Sequence, residues 1–249
     1  MKNILLIGSK GILGSYFSKK LKKSNILHAA DLNSDNYKSK NYNTYKIDIS
    51  NEEEVEELFK KINSTHGKLD VLINAAAFTT EMMQKSKFDN KKKDFFNSSL
   101  WKLTINTNLS GIFFSCKYFI KYHHTKNKDQ NIISFSSIYG NFSPHHDIYK
   151  KENFFSSISY TAAKSGILGL NKWLATKYAK EKSYFNTISP GGVYNKHNLR
   201  FKKNYSNLVP INKMANPSQI YSVLNFLISK DANYIVGENI NVDGGFSAW

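Results

Sequence analysis

Residues 4–14 read Ile4-Leu5-Leu6-Ile7-Gly8-Ser9-Lys10-Gly11-Ile12-Leu13-Gly14. The four apolar residues predict a short buried strand, and the glycines after them predict a tight turn that leads directly into a helix. Glycines at such a turn let the backbone approach a pyrophosphate, and the amino end of the helix offers free N–H groups and a positive dipole. A glycine triplet alone is a weak signal, but its place between a strand and a helix favours a phosphate-binding loop over a plain turn.

Short apolar strands alternate with helical patterns along the rest of the chain. The predicted strands are Ile4–Ile7, Ile26–Ala30, Tyr45–Ile47, Val71–Ile73, Ile132–Phe135, Asn186–Ile188 and Ile240–Val242. The predicted helices are Ile12–Leu21, Leu100–Tyr122, Ser159–Lys180, one that starts near Ser50 and one that follows Pro217. This alternation is typical of an α/β fold. We predict a single Rossmann domain over residues 1–249, with a doubly wound, mostly parallel seven-stranded sheet and helices on both faces.

Two irregular segments interrupt the alternation. Residues 78–97 are polar and rich in lysine, and residues 141–157 contain His145 and His146. Both follow predicted strand ends, where open α/β sheets place their ligand sites, so we expect loops over the site. The two histidines are adjacent and cannot face one side of a helix as a metal-binding pair would, so we expect no metal site.

Composition narrows the class of protein. Lysine and arginine number 35 against 19 acidic residues, a net charge of +16. The lysines are spread over the whole chain without a helix-turn-helix, zinc-ligand spacing or aromatic-basic pattern, so we expect no nucleic-acid partner. No apolar run approaches the roughly 20 residues of a membrane span. Cys116 is the only cysteine, which excludes an internal disulfide and favours the reducing cytoplasm.

An acid ends the second predicted strand. Asp31 lies about 20 residues beyond the glycine loop, where a carboxylate binds the adenosine ribose hydroxyls of a dinucleotide. A carboxylate there also repels a 2′-phosphate, which favours NAD over NADP. Lys10 acts in the opposite direction, because a cation beside the loop can hold that phosphate. We expect NAD, with NADP as the alternative.

A tyrosine and a lysine share one face of a predicted helix. Tyr160 and Lys164 are four residues apart within Ser159-Tyr160-Thr161-Ala162-Ala163-Lys164. A tyrosine with a pKa of about 10 is a poor acid–base group at neutral pH. A neighbouring ammonium favours the phenolate and lowers the pKa, which would let Tyr160 exchange a proton with a reacting oxygen. By itself this spacing is more often an accident of a helix surface.

These motifs together resemble the short-chain dehydrogenase/reductase family, from Gly8 to the Val242-Asp243-Gly244-Gly245 ending. Asn108-Leu109-Ser110-Gly111 resembles the family's helix segment that supports a water relay, and Ser136-Ser137-Ile138-Tyr139-Gly140 resembles its serine motif. The resemblance implies an NAD(P)-dependent oxidoreductase that moves a hydride to or from a carbon bearing a hydroxyl or carbonyl group.

The resemblance also implies roles for single residues. Tyr160 is the acid–base group, Lys164 binds the nicotinamide ribose and tunes Tyr160, Ser137 orients the substrate oxygen, and Asn108 holds a relay water. The alternative readings are a buried structural amide for Asn108 and a strand-end hydroxyl for Ser137. With the glycine loop included, the expected cofactor contacts are Gly8, Ser9, Lys10, Gly11, Ile12, Leu13, Gly14, Asp31, Asp48, Ile49, Asn74, Ala75, Ala76, Tyr160, Lys164, Pro190, Gly191 and Val193.

The chain departs from the family pattern at three places. The glycine spacing is that of the family's extended, nucleotide-sugar branch, and Ala75 and Ala77 replace the usual asparagine and glycine. The interval between the serine motif and Tyr160 is lengthened by the Asn141–Ser157 insertion. With Ile148-Tyr149 before the catalytic helix, the chain resembles a subgroup associated with flagellin glycosylation and nonulosonic-acid synthesis.

Three functions follow from the resemblance. The first is a dehydrogenase or reductase of a sugar, phosphorylated or nucleotide-linked; the second is a reductase of 3-oxoacyl thioesters on acyl carrier protein. The third is a cofactor-binding regulatory protein without turnover, against which the intact motifs argue. The resemblance further implies a homotetramer or homodimer built from the Leu100–Tyr122 and Ser159–Lys180 helices.

A basic segment follows the Pro190-Gly191-Gly192 turn. In the resembled family, this region, here around residues 193–213, is a lid that closes over the substrate. Arginine binds phosphate in a bidentate manner, so Arg200 is the candidate for recognition of an anionic substrate. The alternative is that the basic residues are solvated lysines and arginines of a biased composition.

Overall fold

A parallel sheet runs through the part of the chain that the computed structural model describes, residues 1–79, 94–152 and 154–248. Its strands are β1 (Asn3–Ile7), β2 (Ile26–Asp31), β3 (Tyr42–Lys46), β4 (Val71–Asn74), β5 (Gln130–Phe135), β6 (Ser183–Pro190) and β7 (Asn239–Val242). They lie in the order β3-β2-β1-β4-β5-β6-β7, and every neighbouring pair is parallel. The predicted seven-stranded, doubly wound α/β fold is confirmed.

Helices cover both faces of this sheet. They are α1 (Ile12–Leu21), α2 (Glu52–His66), α3 (Ser98–Ile105), α4 (Gly111–Tyr122), α5 (Ile158–Tyr178), α6 (Leu199–Ser206) and α7 (Pro217–Leu227). Short 3₁₀ turns occupy Ile138–Gly140, His146–Tyr149, Ala179–Glu181, Lys230–Ala232 and Phe246–Ala248. Among the described residues, no helix combines the length and the apolar character needed to cross a membrane.

Successive side chains of β1 point to opposite faces of the sheet and contribute to two separate layers of the core. Ile4 and Leu6 pack with residues of α1 and α7, including Phe17. Leu5 and Ile7 pack on the other face with residues of α2, α4 and α5, including Phe59. Because β1 is buried on both faces, its sequence from Ile4 to Ile7 is continuously apolar and does not alternate between apolar and polar residues.

The amino end of α2 shows how local sequence sets a helix boundary. The Asn51 side chain accepts hydrogen bonds from the N–H groups of Glu53 at 3.1 Å and Glu54 at 3.4 Å. Glu52, Glu53 and Glu54 place negative charge in the first turn, where the helix dipole stabilises it. This predicted capped start is therefore confirmed.

The structure differs from the expected elements at two places. The single helix expected over Leu100–Tyr122 is divided into α3 and α4 by a π-helical segment, Asn106–Ser110. A π segment adds one residue to a single helical turn, and the spacing of apolar residues in the sequence does not reveal it. Such segments often occur at functional sites. The helix α6 stands within the segment expected to be a lid, whereas β6 surrounds Asn186–Ile188 as predicted. Most of the loop predicted over residues 78–97, its residues 80–93, lies outside the described residues.

A buried histidine at the end of α4 connects this helix to α2 and to the segment before β4. The His123 Nδ1 atom accepts a hydrogen bond from the Leu69 N–H at 3.1 Å, so Nε2 carries the proton and donates it to the Phe59 carbonyl at 2.9 Å. His123 is fully buried. Desolvation therefore lowers its pKa from 6.5 to about 4.

This histidine makes stability dependent on pH. Because the pKa is lower in the folded chain, the unfolded chain binds the proton first, and stability is complete above pH 6.5 and lost as the pH falls toward 4. The loss attributable to His123 is about 3 kcal/mol. In urea unfolding at pH 7 and pH 4.5, His123→Gln should show a smaller fall in free energy than the unmodified protein. The exposed His146 provides a control, since His146→Gln should leave the fall unchanged; an equal fall for His123→Gln would contradict the assignment.

Candidate active site

A cleft of about 800 Å³ opens at the carboxyl ends of the strands. Most of the residues predicted for the site line it together: Gly8, Lys10, Gly11, Ile12, Leu13, Gly14, Asp31, Asp48, Ile49, Ala75, Ala76, Ser137, Tyr160, Lys164, Pro190, Gly191 and Val193. Four other predicted residues, Ser9, Asn74, Asn108 and Arg200, are not part of this lining. The cleft lies at the carboxyl end of β1, where the order of the strands reverses: β2 lies on one side of β1 and β4 on the other. Open α/β sheets usually bind their ligands at this point.

The glycine loop brings backbone atoms unusually close together. Gly8 has a φ of +90°, and a Cβ atom there would lie 2.4 Å from the Ala76 nitrogen. A Cβ atom on Gly14 would lie 1.9 Å from the Gly8 carbonyl oxygen. These contacts hold the first turn of α1 against the end of β1. Gly11 is the residue immediately before α1 and, as a glycine, offers no side-chain hydrogen bond to the first turn. The N–H groups of that turn therefore suit a phosphate.

Asp31 closes the loop at the end of β2. Its Oδ2 accepts a hydrogen bond from the Lys10 N–H at 2.9 Å, and its Oδ1 accepts one from the Asn33 N–H at 3.0 Å. Ser9 is buried, and its N–H donates to the Ala30 carbonyl at 3.1 Å. Asp31 thus faces the cleft beside the loop, whereas Ser9 supports the loop from within the protein.

Of the predicted residues at the ends of β3 and β4, some line the cleft and others support it from within the protein. Asp48 Oδ1 accepts hydrogen bonds from both the N–H and the hydroxyl of Ser50, at 2.9 and 2.7 Å. The Asn74 side chain is buried and directed away from the cleft, where its Oδ1 accepts from the Ser115 hydroxyl at 2.7 Å. Ala75 and Ala76 provide the lining at this position.

The start of α5 places Tyr160 and Lys164 at the cleft. The Ser157 side chain caps this helix by accepting from the Tyr160 N–H at 3.2 Å. The Lys164 Nζ atom lies 5.6 Å from the centre of the Tyr160 ring and donates to the Phe135 carbonyl at 2.8 Å. Lys164 is only 2% exposed, and desolvation lowers its pKa to about 7. The predicted pair is therefore one positioned tyrosine beside a buried amine that titrates near neutral pH.

Ser137 lies at the end of β5, next to this pair. Its Oγ accepts a hydrogen bond from the Tyr139 N–H at 3.1 Å, and the side chain lines the cleft. The neighbouring Ser136 hydroxyl donates to the Lys164 carbonyl at 2.8 Å and ties the serine segment to α5. Both serines line the cleft, but the Ser136 hydroxyl donates to the backbone of α5, so Ser137 stays the predicted substrate-binding serine.

Asn108 is fully buried in the π segment. Its Oδ1 accepts from the Phe78 N–H at 2.6 Å, and its Nδ2 donates to the Phe78 carbonyl at 3.1 Å. Asn108 therefore holds the chain segment that follows β4. Its role in a proton relay stays a prediction.

The turn after β6 forms the other wall of the cleft. Gly191 N–H donates to the Val242 carbonyl at 3.0 Å, and Val193 forms a bridge with Ala215. The Tyr205 hydroxyl accepts from the Gly192 N–H, which joins the turn to α6. Pro190, Gly191 and Val193 are thus fixed in place by β7 and by the lid segment.

Arg200 has a different place from the one expected. Its Nε donates to the Glu152 carboxylate at 2.9 Å, and its Nη2 donates to the Lys151 carbonyl. Glu152 belongs to the Asn141–Ser157 insertion, and no local sequence pattern connects it with residue 200. In this structure Arg200 joins the insertion to α6, outside the lining where a substrate anion would bind.

An aromatic wall was not predicted from the sequence. It belongs to the insertion and to α6 and packs as one cluster with the 3₁₀ turn after Ser137; its cleft-lining members are Tyr139, Tyr149, Phe154, Phe201 and Tyr205. The aromatic residues are frequent throughout the chain, so their number gave no signal. Only the position of the insertion, between the serine motif and α5, pointed to this part of the cleft.

The comparisons with known proteins agree with this geometry. A family model described as enoyl-(acyl carrier protein) reductase matches residues 15–247. The chain belongs to the short-chain dehydrogenase/reductase family. It is 30% identical to the 3-oxoacyl-(acyl-carrier-protein) reductase FabG of Buchnera aphidicola subsp. Baizongia pistaciae, a match that covers 80% of this chain and 75% of the relative.

Two further matches span nearly the whole chain. Post-translational flagellin modification protein A of Campylobacter coli is 25% identical and is covered over 98% of both proteins. A short chain dehydrogenase of Leptospira borgpetersenii serovar Hardjo-bovis, solved with bound NAD+, is 29% identical, with a TM-score of 0.84 over 99% of this chain and 92% of that chain. The expected NAD(P)-dependent dehydrogenase or reductase is confirmed.

We predict that the reaction requires the hydroxyl of Tyr160. Tyr160→Phe should lower turnover by about 10²–10⁴-fold, the contribution of a positioned acid–base group, because the ring without its hydroxyl cannot transfer a proton. The Kd for NADH, measured by fluorescence titration, should stay within about twofold. Tyr234→Phe, at a fully exposed tyrosine, should change neither quantity. Near-normal kcat in Tyr160→Phe would remove Tyr160 from the mechanism.

Asp31 should determine the choice between the two cofactors. The unmodified protein is expected to bind NADH more tightly than NADPH, and Asp31→Ala should reduce this difference by about tenfold through loss of a hydrogen bond to a charged group. Titration of both cofactors tests this, with Asp35→Ala at an exposed acid on the same loop as the control. A preference of the unmodified protein for NADPH would show that Lys10 outweighs Asp31.

Proposed function

We propose that this oxidoreductase acts on a sugar, phosphorylated or nucleotide-linked, in the biosynthesis of a nonulosonic-acid-like surface glycan. The observation that carries the proposal is a pair of hydrogen-bonded tyrosines in the lining of the cleft. Tyr139 and Tyr149 line it, and their oxygens are 3.0 Å apart. A hydroxylated substrate can exchange hydrogen bonds with such a wall, whereas an acyl chain would leave these hydroxyls without a new partner.

The reaction needs a proton and a hydride at neighbouring atoms. When bound, the nicotinamide supplies or accepts the hydride. Tyr160 gives its proton to the carbonyl oxygen in reduction and takes it from the hydroxyl in oxidation. Because Ser137 Oγ accepts from Tyr139, its own hydrogen can be donated to the same substrate oxygen. A protonated Lys164 beside the ring favours the phenolate form of Tyr160.

The cofactor fits the residues of the cleft. The uncapped first turn of α1 would hold its phosphates, and Asp31 would hold the adenosine ribose. Lys164 has further N–H groups besides the one donated to Phe135, and these would hold the nicotinamide ribose. Pro190 and Val193 would border the nicotinamide.

One relative supports the sugar proposal because its match extends over nearly the whole of this chain. The flagellin modification protein matches over 98% of this chain, which includes the Asn141–Ser157 insertion that supplies Tyr149. The insertion thus lies in a region that the two proteins share. The net charge of +16 supports an anionic group on the substrate.

A reductase of 3-oxoacyl thioesters is the second candidate. It is favoured by the 30% identity to a FabG protein. An acyl carrier protein is acidic, so the net charge of +16 suits this partner as well. The two candidate functions use the same proton-transfer residues. They differ in the substrate that must lie against the aromatic wall, which is a sugar in the first and an acyl chain in the second.

We further propose a homotetramer or homodimer that contacts through α4 and α5. Phe113 on α4 and Trp173 on α5 are 47% and 63% exposed. Large exposed apolar side chains on neighbouring helices are typical of contact surfaces. A cytoplasmic location and the absence of a nucleic-acid partner also stay predictions.

A substrate panel separates the two candidates. We expect reduction of a nucleotide-linked 4-keto-6-deoxy sugar with NADH to exceed that of acetoacetyl-coenzyme A. Tyr149→Phe should raise the KM for the keto sugar by about tenfold, through loss of one hydrogen bond to a hydroxyl, and leave that for acetoacetyl-coenzyme A unchanged. Tyr37→Phe, at an exposed tyrosine outside the cleft lining, is the control. Preferred turnover of acetoacetyl-coenzyme A would support the second candidate instead.

A further inference from the structure

A carboxylate of the insertion is buried against the first turn of α6. The side chain of Glu152 is only 3% exposed. Its Oε1 accepts from Arg200 Nε at 2.9 Å, and its Oε2 accepts from Asn198 Nδ2 at 2.7 Å. Both donors come from the lid segment, more than 40 residues further along the chain. We call Glu152, Asn198 and Arg200 the latch.

The latch acts on the geometry of the helix itself. Asn198 is the residue before α6, and its Oδ1 accepts from the Phe201 N–H at 2.8 Å, which caps the helix. The same side chain therefore caps α6 with its oxygen and binds Glu152 with its nitrogen. Arg200 adds a hydrogen bond to the Lys151 carbonyl. The carboxylate thereby fixes the position of the first turn relative to the insertion.

The orientation of α6 decides one wall of the cleft. The Phe201 ring lies 5.1 Å from that of Phe154 and 5.6 Å from that of Tyr149, measured between centres. One turn further along, the Tyr205 hydroxyl binds the Gly192 N–H. Displacement of the first turn would therefore move the aromatic wall next to Tyr160.

The chemistry of the latch indicates a purpose beyond attachment. A buried carboxylate is costly unless charge-assisted hydrogen bonds offset its desolvation, and apolar residues of similar volume often stabilise a protein as well. The same insertion carries an exposed ion pair, Lys150–Asp147 at 2.8 Å, with both side chains at least 66% exposed. Such a surface pair contributes little. What the buried carboxylate adds is a defined geometry between the insertion and α6.

We propose that Glu152 is a positioning residue that holds α6 and its aromatic side chains in place over the substrate end of the cleft, and that Arg200 acts through Glu152 rather than on the substrate. The proposal rests on Tyr160 as the reacting centre, and it is independent of the chemical class of the substrate.

Steady-state kinetics with a neutral and an anionic sugar distinguish the two roles of Arg200. With NADH as reductant and D-fructose or D-fructose 6-phosphate as the probe, Glu152→Gln and Arg200→Gln should each raise KM about tenfold for both sugars. The Kd for NADH should stay unchanged, because α1 and β2 are not touched. Asp147→Asn, at the exposed pair of the same insertion, should leave KM unchanged. If Arg200→Gln affects only the phosphorylated sugar and Glu152→Gln affects neither, Arg200 binds the anion and the proposal is overturned.

Hydrogen exchange tests the latch without any substrate. Glu152→Gln should speed exchange of the α6 amides about tenfold while the amides of β1 and β4 keep their protection. Unchanged exchange in α6 would overturn the proposal, as would an equal increase in the sheet, since that would mean a general role in folding. Failure to reduce either sugar would count against the sugar substrate alone, because the exchange result stands by itself.

A double variant provides the final comparison. Arg200→Gln alone removes the guanidinium group from the buried carboxylate, whereas Glu152→Gln with Arg200→Gln leaves two neutral amides that can bind each other. The double variant should therefore show slower exchange of the α6 amides than Arg200→Gln alone. Additive effects of the two substitutions would show that the residues act separately and would overturn the proposal.

Discussion

The close backbone contact between the end of β1, the end of β4 and the start of α1 is the constraint on which the rest of the site depends. At Gly8 and Gly14, any side chain would overlap backbone atoms of Ala76 or of the loop itself. Because these segments touch, the uncapped turn of α1 is directed into the cleft. The parallel sheet then brings the ends of β5 and β6, with Ser137 and Pro190, to the same edge.

The site also requires polar groups to be buried where apolar groups would be more favourable. Lys164 is desolvated, and the side-chain oxygen and nitrogen of Asn108 both form hydrogen bonds with the backbone of Phe78. Glu152 is likewise withdrawn from water between two elements. Each of these groups is acceptable because it has hydrogen-bond partners, and each defines one geometry more strictly than apolar packing would.

Two segments outside the regular strand–helix alternation determine the substrate end of the cleft. The Asn141–Ser157 insertion supplies Tyr149, and α6 supplies Phe201 and Tyr205. These rings pack into a cluster of their own, separate from the two layers that sandwich the sheet. The sheet can therefore keep the cofactor position constant while this cluster sets what is accepted beside it.

The sequence by itself determined the fold, the glycine loop and the helix that carries Tyr160 and Lys164. These features depend on local patterns: apolar runs, glycine at a turn, and side chains four residues apart on one helix. Only the tertiary structure decided that Arg200 pairs with Glu152, that Asn74 is directed into the core, and that a π segment divides the helix around Asn108. Contacts between residues distant in the chain depend on how elements pack. A single sequence carries no periodic signal for that packing.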